Sequence, residues 1–324
     1  MTGTVAVVGS FNVDHVWHSE RLPRPGETLA GTYATGPGGK GFNQAVAARR
    51  AGAGTAFVCA LGDDAGAALA RTLAKADGIA LHALESTEPT GTAGIYIDAA
   101  GRNSIVIGPG ANASLTAGFV RGQVDVLGDA AVLLTQLESP REAVLEALLG
   151  GRAAGAIAML NPAPANAEVD ADLLAACDLI TPNETEFAAL LAAHTALRHE
   201  ADAIATLDDA ALHGACRALL PHGTVVVTLG EAGAFVSHGD PGRHHDAAAH
   251  YRVAGERVRA VDTTGAGDAF NGALAARLAS DGGRAFADHV RFAAGYAALS
   301  VEAPGAAASM PTLEAVRARF PDVV

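Results

Sequence analysis

Short continuous apolar runs alternate along the chain with longer stretches in which apolar residues recur every three or four positions. The runs predict buried strands at residues 4–9, 55–60, 131–134, 156–160, 179–181 and 224–228. The stretches between them predict helices at residues 44–51, 64–76, 140–149, 184–193 and 208–219. Buried strands that alternate with helices are typical of an α/β fold, in which helices cover both faces of a mainly parallel sheet. Ligands bind at the carboxyl ends of strands in such sheets, so the loops that follow the strands are the places to search for chemistry.

Two regions lack any helical pattern. Residues 17–35 contain Pro23, Pro25 and Gly26, and residues 91–107 form two β-rich runs around an Ala-Ala-Gly turn. We expect these segments, about 15–37 and 91–108, to pair into a small sheet that projects from the main body as a cover. The polar stretches 194–208 and 238–250 are expected to be surface loops.

Composition narrows the function classes. The chain carries 22 basic and 35 acidic residues, a formal charge of −13, and no basic patch, so we do not expect nucleic-acid binding. Cys59, Cys177 and Cys216 are far apart in apolar stretches, which predicts buried reduced thiols rather than a thiolate metal site. The N-terminus lacks the basic start of a signal peptide, and no apolar stretch approaches about 18 residues. We therefore expect a cytoplasmic protein with no membrane partner.

The first candidate motif is the loop GPGGKGFN, which runs from Gly36 to Asn43 and has four glycines in six residues. Such a loop lets backbone N–H groups approach a ligand, and the helix predicted near Asn43 points its positive end at the loop. The loop also carries Lys40, one of only two lysines in the chain. We expect it to bind a ligand, although a glycine-rich turn without one is the alternative.

Two familiar phosphate-binding patterns can be tested on this loop. It is not a Walker A motif, because Ala34 stands where the first glycine is needed and a glycine follows the lysine. The dinucleotide pattern G-x-G-x-x-G fits Gly36, Gly38 and Gly41, with Asp63 about 20 residues further on. The loop is not reached from the first strand, however, so dinucleotide binding stays an alternative.

The second motif, DTTGAGD at residues 262–268, directly precedes the helical pattern AFNGALAARLA. Small residues before a helix leave backbone N–H groups unpaired, and these form an anion hole. A carboxylate beside such a hole suits phosphoryl transfer: the backbone stabilises the moving phosphoryl group while Asp268 takes the proton of the attacking hydroxyl. We expect the helix terminus to lower the pKa of Asp268, so that it is ionised at neutral pH. An aspartate at a helix start can instead serve only as a cap.

Polar side chains at predicted strand ends form a third set. Asn12 and Asp14 follow the first strand, Glu138 follows the run at 131–134, and Asn183 and Glu186 follow the run at 179–181. Their donors and acceptors suit a polyhydroxylated ligand. Asn183 can alternatively cap the helix that follows it.

Histidines cluster in the stretch 238–250, which contains His238, His244, His245 and His250 together with Asp240 and Asp246. A metal site is conceivable there. No helical or strand spacing aims the rings at one point, so we expect a loop without a catalytic role.

The blocks GGKGFNQA and DTTGAGDAFNGAL resemble the two signatures of the ribokinase-like (PfkB-type) carbohydrate kinase family. The resemblance runs over nearly the whole chain, through GSFNVDH, PRPGETL, LGDDAG, LTQLESP, NPAPA, TPNETE, VTLGEAG and GAAASMP. Within the family the blocks are most similar to those of bacterial ribokinases. The resemblance implies a single kinase domain over residues 1–324, with a three-layer α/β/α body and a small β-sheet lid through which two copies often form a homodimer.

The resemblance also implies roles for individual residues. The sugar would be held by Asn12, Asp14, Gly39, Lys40, Asn43 and Glu138, and Asp268 would act as the base on the primary hydroxyl of ribose. Gly265, Ala266 and Gly267 would form the anion hole. The ATP site would include Asn183, Thr228, Gly230 and Gly233, with Glu186 helping to place Mg²⁺ through water. An activating monovalent cation, K⁺, would be bound by Asp262, Thr264, Ser300, Ala303, Gly305 and Ser309.

Two positions near the implied sugar site depart from the usual pattern. Val13 and Phe42 stand where ribokinases carry smaller residues. A phenylalanine at a helix start usually packs into the core, which would keep ribose as the best substrate. A ring that faced the ligand would instead stack on a planar group such as a nucleobase.

The sequence therefore predicts an ATP-dependent kinase that converts D-ribose to ribose 5-phosphate. The alternatives are a kinase of the same family for another sugar or a nucleoside, a dinucleotide-binding oxidoreductase built on the Gly36 loop, and a sugar-binding regulator without catalysis. DTTGAGD favours a phosphotransferase over an oxidoreductase, and the presence of Asp268 argues against a regulator.

Overall fold

A computed structural model of the chain describes residues 3–240, 245–280 and 283–323. The strands in this part of the chain are β1 Thr4–Val8, β2 Asn12–His18, β3 Thr32–Gly38, β4 Gly54–Leu61, β5 Ala80–Glu85, β6 Gly91–Ile97, β7 Asn103–Gly108, β8 Val132–Thr135, β9 Ile157–Leu160, β10 Leu179–Ile180, β11 Thr224–Thr228, β12 Ala234–His238 and β13 His250–Val253. The helices are α1 Lys40–Arg50, α2 Ala65–Asp77, α3 Ala117–Arg121, α4 Val124–Gly128, α5 Arg141–Ala153, α6 Ala171–Ala176, α7 Glu184–His194, α8 Ala201–Ile204, α9 Asp209–Leu219, α10 Ala266–Ser280, α11 Phe286–Ser300 and α12 Leu313–Arg319. Short 3₁₀ turns lie at Gly110–Ser114, Gly230–Ala232, Ala307–Ser309 and Pro321–Val323.

The main sheet has the strand order β13-β12-β11-β10-β9-β8-β1-β4-β5. Its strands run parallel from β5 to β11, and β12 and β13 complete one edge in antiparallel pairing. The prediction of a mainly parallel sheet is confirmed, and each predicted strand and helix is found with ends shifted by a few residues. β5, β12 and β13 were not predicted.

Strand β1 lies near the middle of the sheet and carries apolar side chains on both faces. Val5 and Val7 pack into one core with α1, α2, α10 and α11, whereas Ala6 and Val8 pack into a second core with α5, α6, α7 and α9. Successive side chains of a strand point to opposite faces, so an unbroken apolar run is what a strand covered on both sides requires. The body is therefore a three-layer α/β/α structure.

Helix α1 begins at Lys40, four residues before the predicted start. Its N-cap residue Gly39 has φ 86° and provides no capping side chain. A Cβ on Gly39 would lie 2.8 Å from backbone atoms of Ser10, Phe11 and Asn12, so this turn accepts only glycine. The close approach pins the start of α1 to the segment that leaves β1.

A separate sheet, with the strand order β3-β2-β6-β7, stands beside the main one. β2 pairs antiparallel with β3 and parallel with β6, and β6 pairs antiparallel with β7. This confirms the predicted small sheet, although it begins earlier than the pattern indicated, at Asn12. Asn12 and Asp14 thus belong to the small sheet rather than to an end of the main one.

The two polar stretches are not simple surface loops, and that expectation is wrong in part. Residues 194–208 include α8, whose Ile204 is fully buried. His238 ends β12 in the interior, where its ring bonds Thr224 Oγ1 and Asp246 Oδ2 at 2.9 Å each. Antiparallel pairing with a buried strand explains why this polar residue lies inside.

The remaining sequence expectations concern metals, membranes and thiols. Among the described residues no group of three or more histidine, cysteine or acidic side chains could hold a metal ion, and His244 lies outside those residues. In the same part of the chain no helix has the length and apolar character needed to cross a bilayer. The cysteines are buried and unpaired as expected, and burial raises the pKa of Cys216 to about 12.

Candidate active site

The first turns of α1 and α10 meet beside the carboxyl end of β1, and this contact joins the two glycine-rich motifs. Asn43 Nδ2 donates to Asp268 Oδ2 at 2.9 Å, and Gln44 Nε2 donates to Asp268 Oδ1 at 2.8 Å. Asp268 is 7% exposed. Its carboxylate accepts these two bonds from another helix, so the alternative in which Asp268 serves only to cap its own helix does not hold.

A cleft of about 480 Å³, part of it open to solvent, runs from Asp268 along the start of α10. Its lining residues are Lys40, Asn161, Ala163, Thr181, Asn183, Glu186, Thr228, Thr263, Gly265, Ala266, Gly267, Asp268 and Asn271. Eight of the residues singled out from the sequence therefore surround one cavity: Lys40, Asn183, Glu186, Thr228, Gly265, Ala266, Gly267 and Asp268.

Glu138 and the polar residues of the small sheet lie outside the lining of this cleft, close to Lys40 and Asp268. Glu138 Oε2 accepts a hydrogen bond from Ser10 Oγ at 2.6 Å and one from the backbone N–H of Lys40 at 3.0 Å. Asn12 Oδ1 accepts a bond from Asn112 Nδ2 at 2.8 Å. Glu138 is thereby fixed at the start of α1, and Asn12 is oriented with its Nδ2 as the remaining donor.

Asp14 extends this polar side from strand β2. A Cβ on Gly38 would fall 2.2 Å from Asp14 Oδ1, so the carboxylate lies directly over the glycine of the neighbouring strand. Burial, together with the charges of Glu138 and Asp268, raises the pKa of Asp14 to about 7. Asp14, Glu138 and Asp268 therefore act on one another electrostatically.

Lys40 is the counter-charge of this acidic group. Burial alone would lower the pKa of its ammonium, but the carboxylates of Asp268, Glu138 and Glu186 outweigh burial and raise that pKa above its usual value. Lys40 is therefore held as a cation between the two sides of the site.

The expectation of a lowered pKa for Asp268 is wrong. Burial raises the pKa of this carboxyl above its usual value, against the opposing effects of Lys40, Asn43 and Gln44. Removal from water disfavours the charged form more than nearby donors favour it. Asp268 is consequently a stronger base than an exposed aspartate.

The start of α10 provides free backbone donors. The first intrahelical bond runs from the N–H of Ala269 to the carbonyl of Gly265 at 2.8 Å, so the N–H groups of Gly267 and Asp268 precede the helical ladder. The N–H of Ala266 donates to Thr263 O at 3.2 Å and is already engaged. Gly265 has φ 76°, and a Cβ there would approach Ala306 to 2.9 Å.

Asn183 and Glu186 form a capping box at the start of α7. Asn183 Oδ1 accepts from the N–H of Glu186, and Glu186 Oε2 accepts from the N–H of Asn183, each at 2.9 Å. The capping alternative for Asn183 is therefore correct, and both residues also line the cleft. Burial raises the pKa of Glu186. Gly230 and Gly233 bound the turn after Thr228 and lie beside the cleft rather than in its lining.

Asp262 ties together the segments expected to bind a monovalent cation. Its Oδ1 accepts from the N–H of Thr264 and its Oδ2 from the N–H of Gly305, both at 2.9 Å. Burial would raise the pKa of Asp262, but these N–H groups outweigh it and lower the pKa. Ser300 ends α11, the N–H of Ala303 donates to Ser300 O at 3.4 Å, and Ser309 closes the following 3₁₀ turn.

The glycine loop has the wrong surroundings for a dinucleotide site. That motif must follow a strand of the parallel sheet and open a helix. Here Gly36 and Gly38 belong to β3 of the small sheet. Asp63 is exposed in the bend before α2.

Phe42 faces the core and not the ligand side. Its ring is 1% exposed and packs edge-on against Phe11, with centroids 5.1 Å apart, and against Phe57 at 5.9 Å. Val13 is partly buried and packs against the same core. The two departures from the usual pattern therefore add volume to the interior.

Several residues of the site were assigned no role from the sequence. Ser10 and Asn112 hold Glu138 and Asn12, and Gln44, Asn161, Thr181 and Asn271 form a buried polar cluster behind Asp268. Asn112 lies 100 residues from Asn12 along the chain. Asn112 lies outside the sequence blocks quoted above, whereas the other five lie within them, although the sequence analysis assigned them no role.

Comparison with known proteins gives a consistent result. The model of the pfkB family of carbohydrate kinases matches residues 2–313. The chain is 37% identical over 316 residues to the ribokinase of Haemophilus influenzae, covering 96% of each chain. It resembles the crystal structure of ribokinase from Thermotoga maritima with a TM-score of 0.85 and 31% identity, covering 99% of this chain and 100% of the other. It also resembles the structure of Arabidopsis thaliana ribokinase complexed with ribose and ATP, with a TM-score of 0.79, 30% identity and 98% coverage of both chains.

Proposed function

The chain belongs to the pfkB family of carbohydrate kinases, and we propose that it transfers the γ-phosphoryl group of ATP to the primary 5-hydroxyl of D-ribose. The observation that carries this proposal is the contact of Asp268 with Asn43, because it places a buried carboxylate between a polyol-binding set and the free N–H groups of a helix start. The full-length similarity to ribokinases, one of them solved with ribose and ATP, supports ribose as the sugar.

Residues on the small sheet and on α1 would bind the sugar. Asn12 offers its amide group, and Asp14 and Glu138 offer carboxyl oxygens to sugar hydroxyls. Lys40 and Asn43 are at the boundary with the cleft, where they would hold the hydroxyl that reacts. Gly39 supplies no side chain, so the sugar would lie against backbone at that point.

Asp268 would take the proton of the 5-hydroxyl as the oxygen attacks phosphorus. Its raised pKa makes Asp268 a better proton acceptor. The N–H groups of Gly267 and Asp268 would stabilise the negative charge on the phosphoryl group during its transfer. Lys40 would offset negative charge that gathers between the sugar and the nucleotide. The bond from oxygen to phosphorus forms as the bond to ADP breaks, and the proton remains on Asp268 until product leaves.

Mg²⁺ would arrive with ATP and neutralise phosphate charge. Glu186 fits this role through water, since its carboxyl is buried in the cleft lining and only Oε2 is used in the capping box. Asn183, Thr228, Gly230 and Gly233 would contact the nucleotide along and beside the same lining.

We also propose activation by K⁺. It would be bound, mostly through carbonyl oxygens, by Asp262, Thr264, Ser300, Ala303, Gly305 and Ser309. Asp262 already joins two of these segments, at Thr264 and at Gly305. Activity in buffer free of sodium and potassium should be low and should rise with KCl, whereas choline chloride at equal ionic strength should have no effect. Equal rates in the two salts would argue against the cation site.

A second copy of the chain would pair through the small sheet. Both of its edge strands expose apolar side chains, namely Tyr33 on β3 and Ile105, Val106 and Ile107 on β7. Exposed apolar clusters of this kind mark interaction surfaces.

A substrate panel tests the proposed function. kcat/KM measured with ATP should be highest for ribose among ribose, 2-deoxyribose, fructose, fructose 6-phosphate and adenosine. None of the residues assigned to the sugar is an arginine that could bind a second phosphate. Asp268→Asn keeps the size of the side chain and should lower kcat by about 10² to 10⁴. A preference for adenosine would refute ribose as substrate, and near wild-type turnover in Asp268→Asn would refute the base.

A further inference from the structure

The carboxylate of Asp268 accepts a hydrogen bond from Gln44, a buried residue that lies outside the proposed sugar and nucleotide sites. Gln44 is fully buried, and its Nε2 donates to Asp268 Oδ1 at 2.8 Å and to Asn161 Oδ1 at 3.0 Å. Its Oε1 accepts from Gln136 Nε2. Both amide hydrogens and the carbonyl oxygen are engaged, so the orientation of this side chain is fixed.

We propose that Gln44 is the positioning residue of the catalytic base: its bond to Asp268 Oδ1, together with the bond of Asn43 to Oδ2, fixes the plane of the carboxylate that receives the proton. The proposal rests on the assignment of Asp268 as base. A hydrogen bond to a charged acceptor is stronger than one between neutral groups, and Gln44 supplies such a bond without touching the sugar-binding residues. Asn43 alone would hold only one of the two oxygens.

A chain of hydrogen bonds between buried polar groups connects Gln44 to the start of α10. Asn161 accepts a hydrogen bond from Gln44, and its own Nδ2 donates to Thr181 O at 3.1 Å. The hydroxyl of Thr181 bonds Asn271 Oδ1, and Asn271 Nδ2 donates to Gly267 O at 2.8 Å. The chain thus returns to the residue next to Asp268, and it fixes the base and the phosphate-binding N–H groups relative to one another.

Loss of Gln44 should have two effects that mere loss of stability does not produce. The carboxylate loses a donor that favours its charged form, so its pKa rises. It also gains freedom to rotate, so turnover falls even where Asp268 is ionised. Neither effect changes the groups that contact ribose or ATP.

Gln136 provides the matched control. It is the same residue type, it is also fully buried, and it bonds Gln44, but it makes no bond to Asp268. Gln136→Met should lower Tm as any buried polar loss does, while kcat per folded molecule and the pH profile should change much less than in Gln44→Met, because the bond from Gln44 to Asp268 is kept.

The experiment compares pH profiles of kcat for the wild type, Gln44→Met, Gln44→Asn and Gln136→Met. Gln44→Met should lower kcat at pH 8 at least tenfold, move the acid limb to higher pH by about one unit, and leave KM for ribose and ATP within about twofold. Gln44→Asn keeps an amide, but its side chain is one methylene too short to reach Asp268. It should therefore shift the acid limb as Gln44→Met does, although the residue remains polar. An unshifted acid limb in either folded Gln44 variant, or equal shifts in the Gln136 variant, would overturn the proposal.

Asp268→Asn, measured beside them, separates this proposal from the proposed function. An inactive Asp268→Asn with an unshifted Gln44→Met profile removes only the positioning role. An active Asp268→Asn removes the base and the positioning role together.

Discussion

Replacing Asp14 by asparagine should stabilise the unliganded protein while weakening its binding of ribose. Burial and the charges of Glu138 and Asp268 raise the pKa of this carboxyl from 3.8 to about 7. The folded chain therefore holds a proton that the unfolded chain releases, so this group lowers the free energy of unfolding progressively as pH rises from about 4 to about 7. Above pH 7 the cost is complete, with an upper limit of about 4 kcal/mol at 1.36 kcal/mol per pH unit.

Relaxation around the site reduces that cost, and we expect Asp14→Asn to raise the free energy of unfolding by about 1–2 kcal/mol at pH 8. The gain should shrink toward zero near pH 4, where Asp14 is protonated in both states. Asp63→Asn, which removes an exposed carboxylate, serves as the control and should change Tm little at either pH.

The same substitution should change catalysis in the opposite direction. At pH 6 only about one tenth of Asp14 is ionised, so kcat/KM for ribose in the wild type should fall about tenfold per pH unit below 7 through this group. Asp14→Asn should lose this dependence, so that the slope of log kcat/KM on the acid side decreases by one. At pH 8 its KM for ribose should be about 10- to 100-fold higher, because a hydrogen bond to a charged acceptor is lost. Equal slopes together with an unchanged or lower Tm at pH 8 would refute the reasoning.

Phe42→Ala should lower the free energy of unfolding by about 3–5 kcal/mol in urea titrations, because it empties a packed interior site; the preference for ribose over adenosine should persist, and a changed preference would mean that the ring borders the ligand. Gly39→Ala should abolish ribose binding in calorimetry, since its Cβ would meet backbone at 2.8 Å, whereas Gly36→Ala has open space and should bind normally; binding by both variants would contradict the close approach. Ile105→Glu on the exposed edge strand should yield monomers by light scattering, while Leu149→Glu, equally exposed on α5, should not; a monomeric wild type would exclude pairing through the small sheet.

The sequence predicted the central part of the fold because buried strands need apolar side chains on both faces. After its first residue, Thr4, β1 is entirely apolar, and β11 is entirely apolar between Thr224 and Thr228. Strands β12 and β13 were missed because His238 and His250 read as polar, although the first lies in the interior between Thr224 and Asp246. Tertiary hydrogen bonds of this kind satisfy a buried histidine, and no local pattern encodes them.

The site was predictable to the extent that its residues lie in motifs. Asp268, Lys40, Asn183 and Glu186 were found from their spacing and indeed line one cleft. The error on the pKa of Asp268 arose because the helix start is visible in a sequence, whereas the burial that outweighs it is not.

The contact of Asp268 with Asn43 and Gln44 spans 225 and 224 residues of chain. Helix α10 also packs between α1 and α11, so the face of α1 that α10 covers stays exposed until α10 has been made and docked. During synthesis that face of α1 therefore stays open, and the site that Asp268 and Asn43 build does not exist in that interval. Ligands of this protein can act as folding aids only after residues 266–280 have joined, so they cannot rescue a defect that arises earlier in the nascent chain.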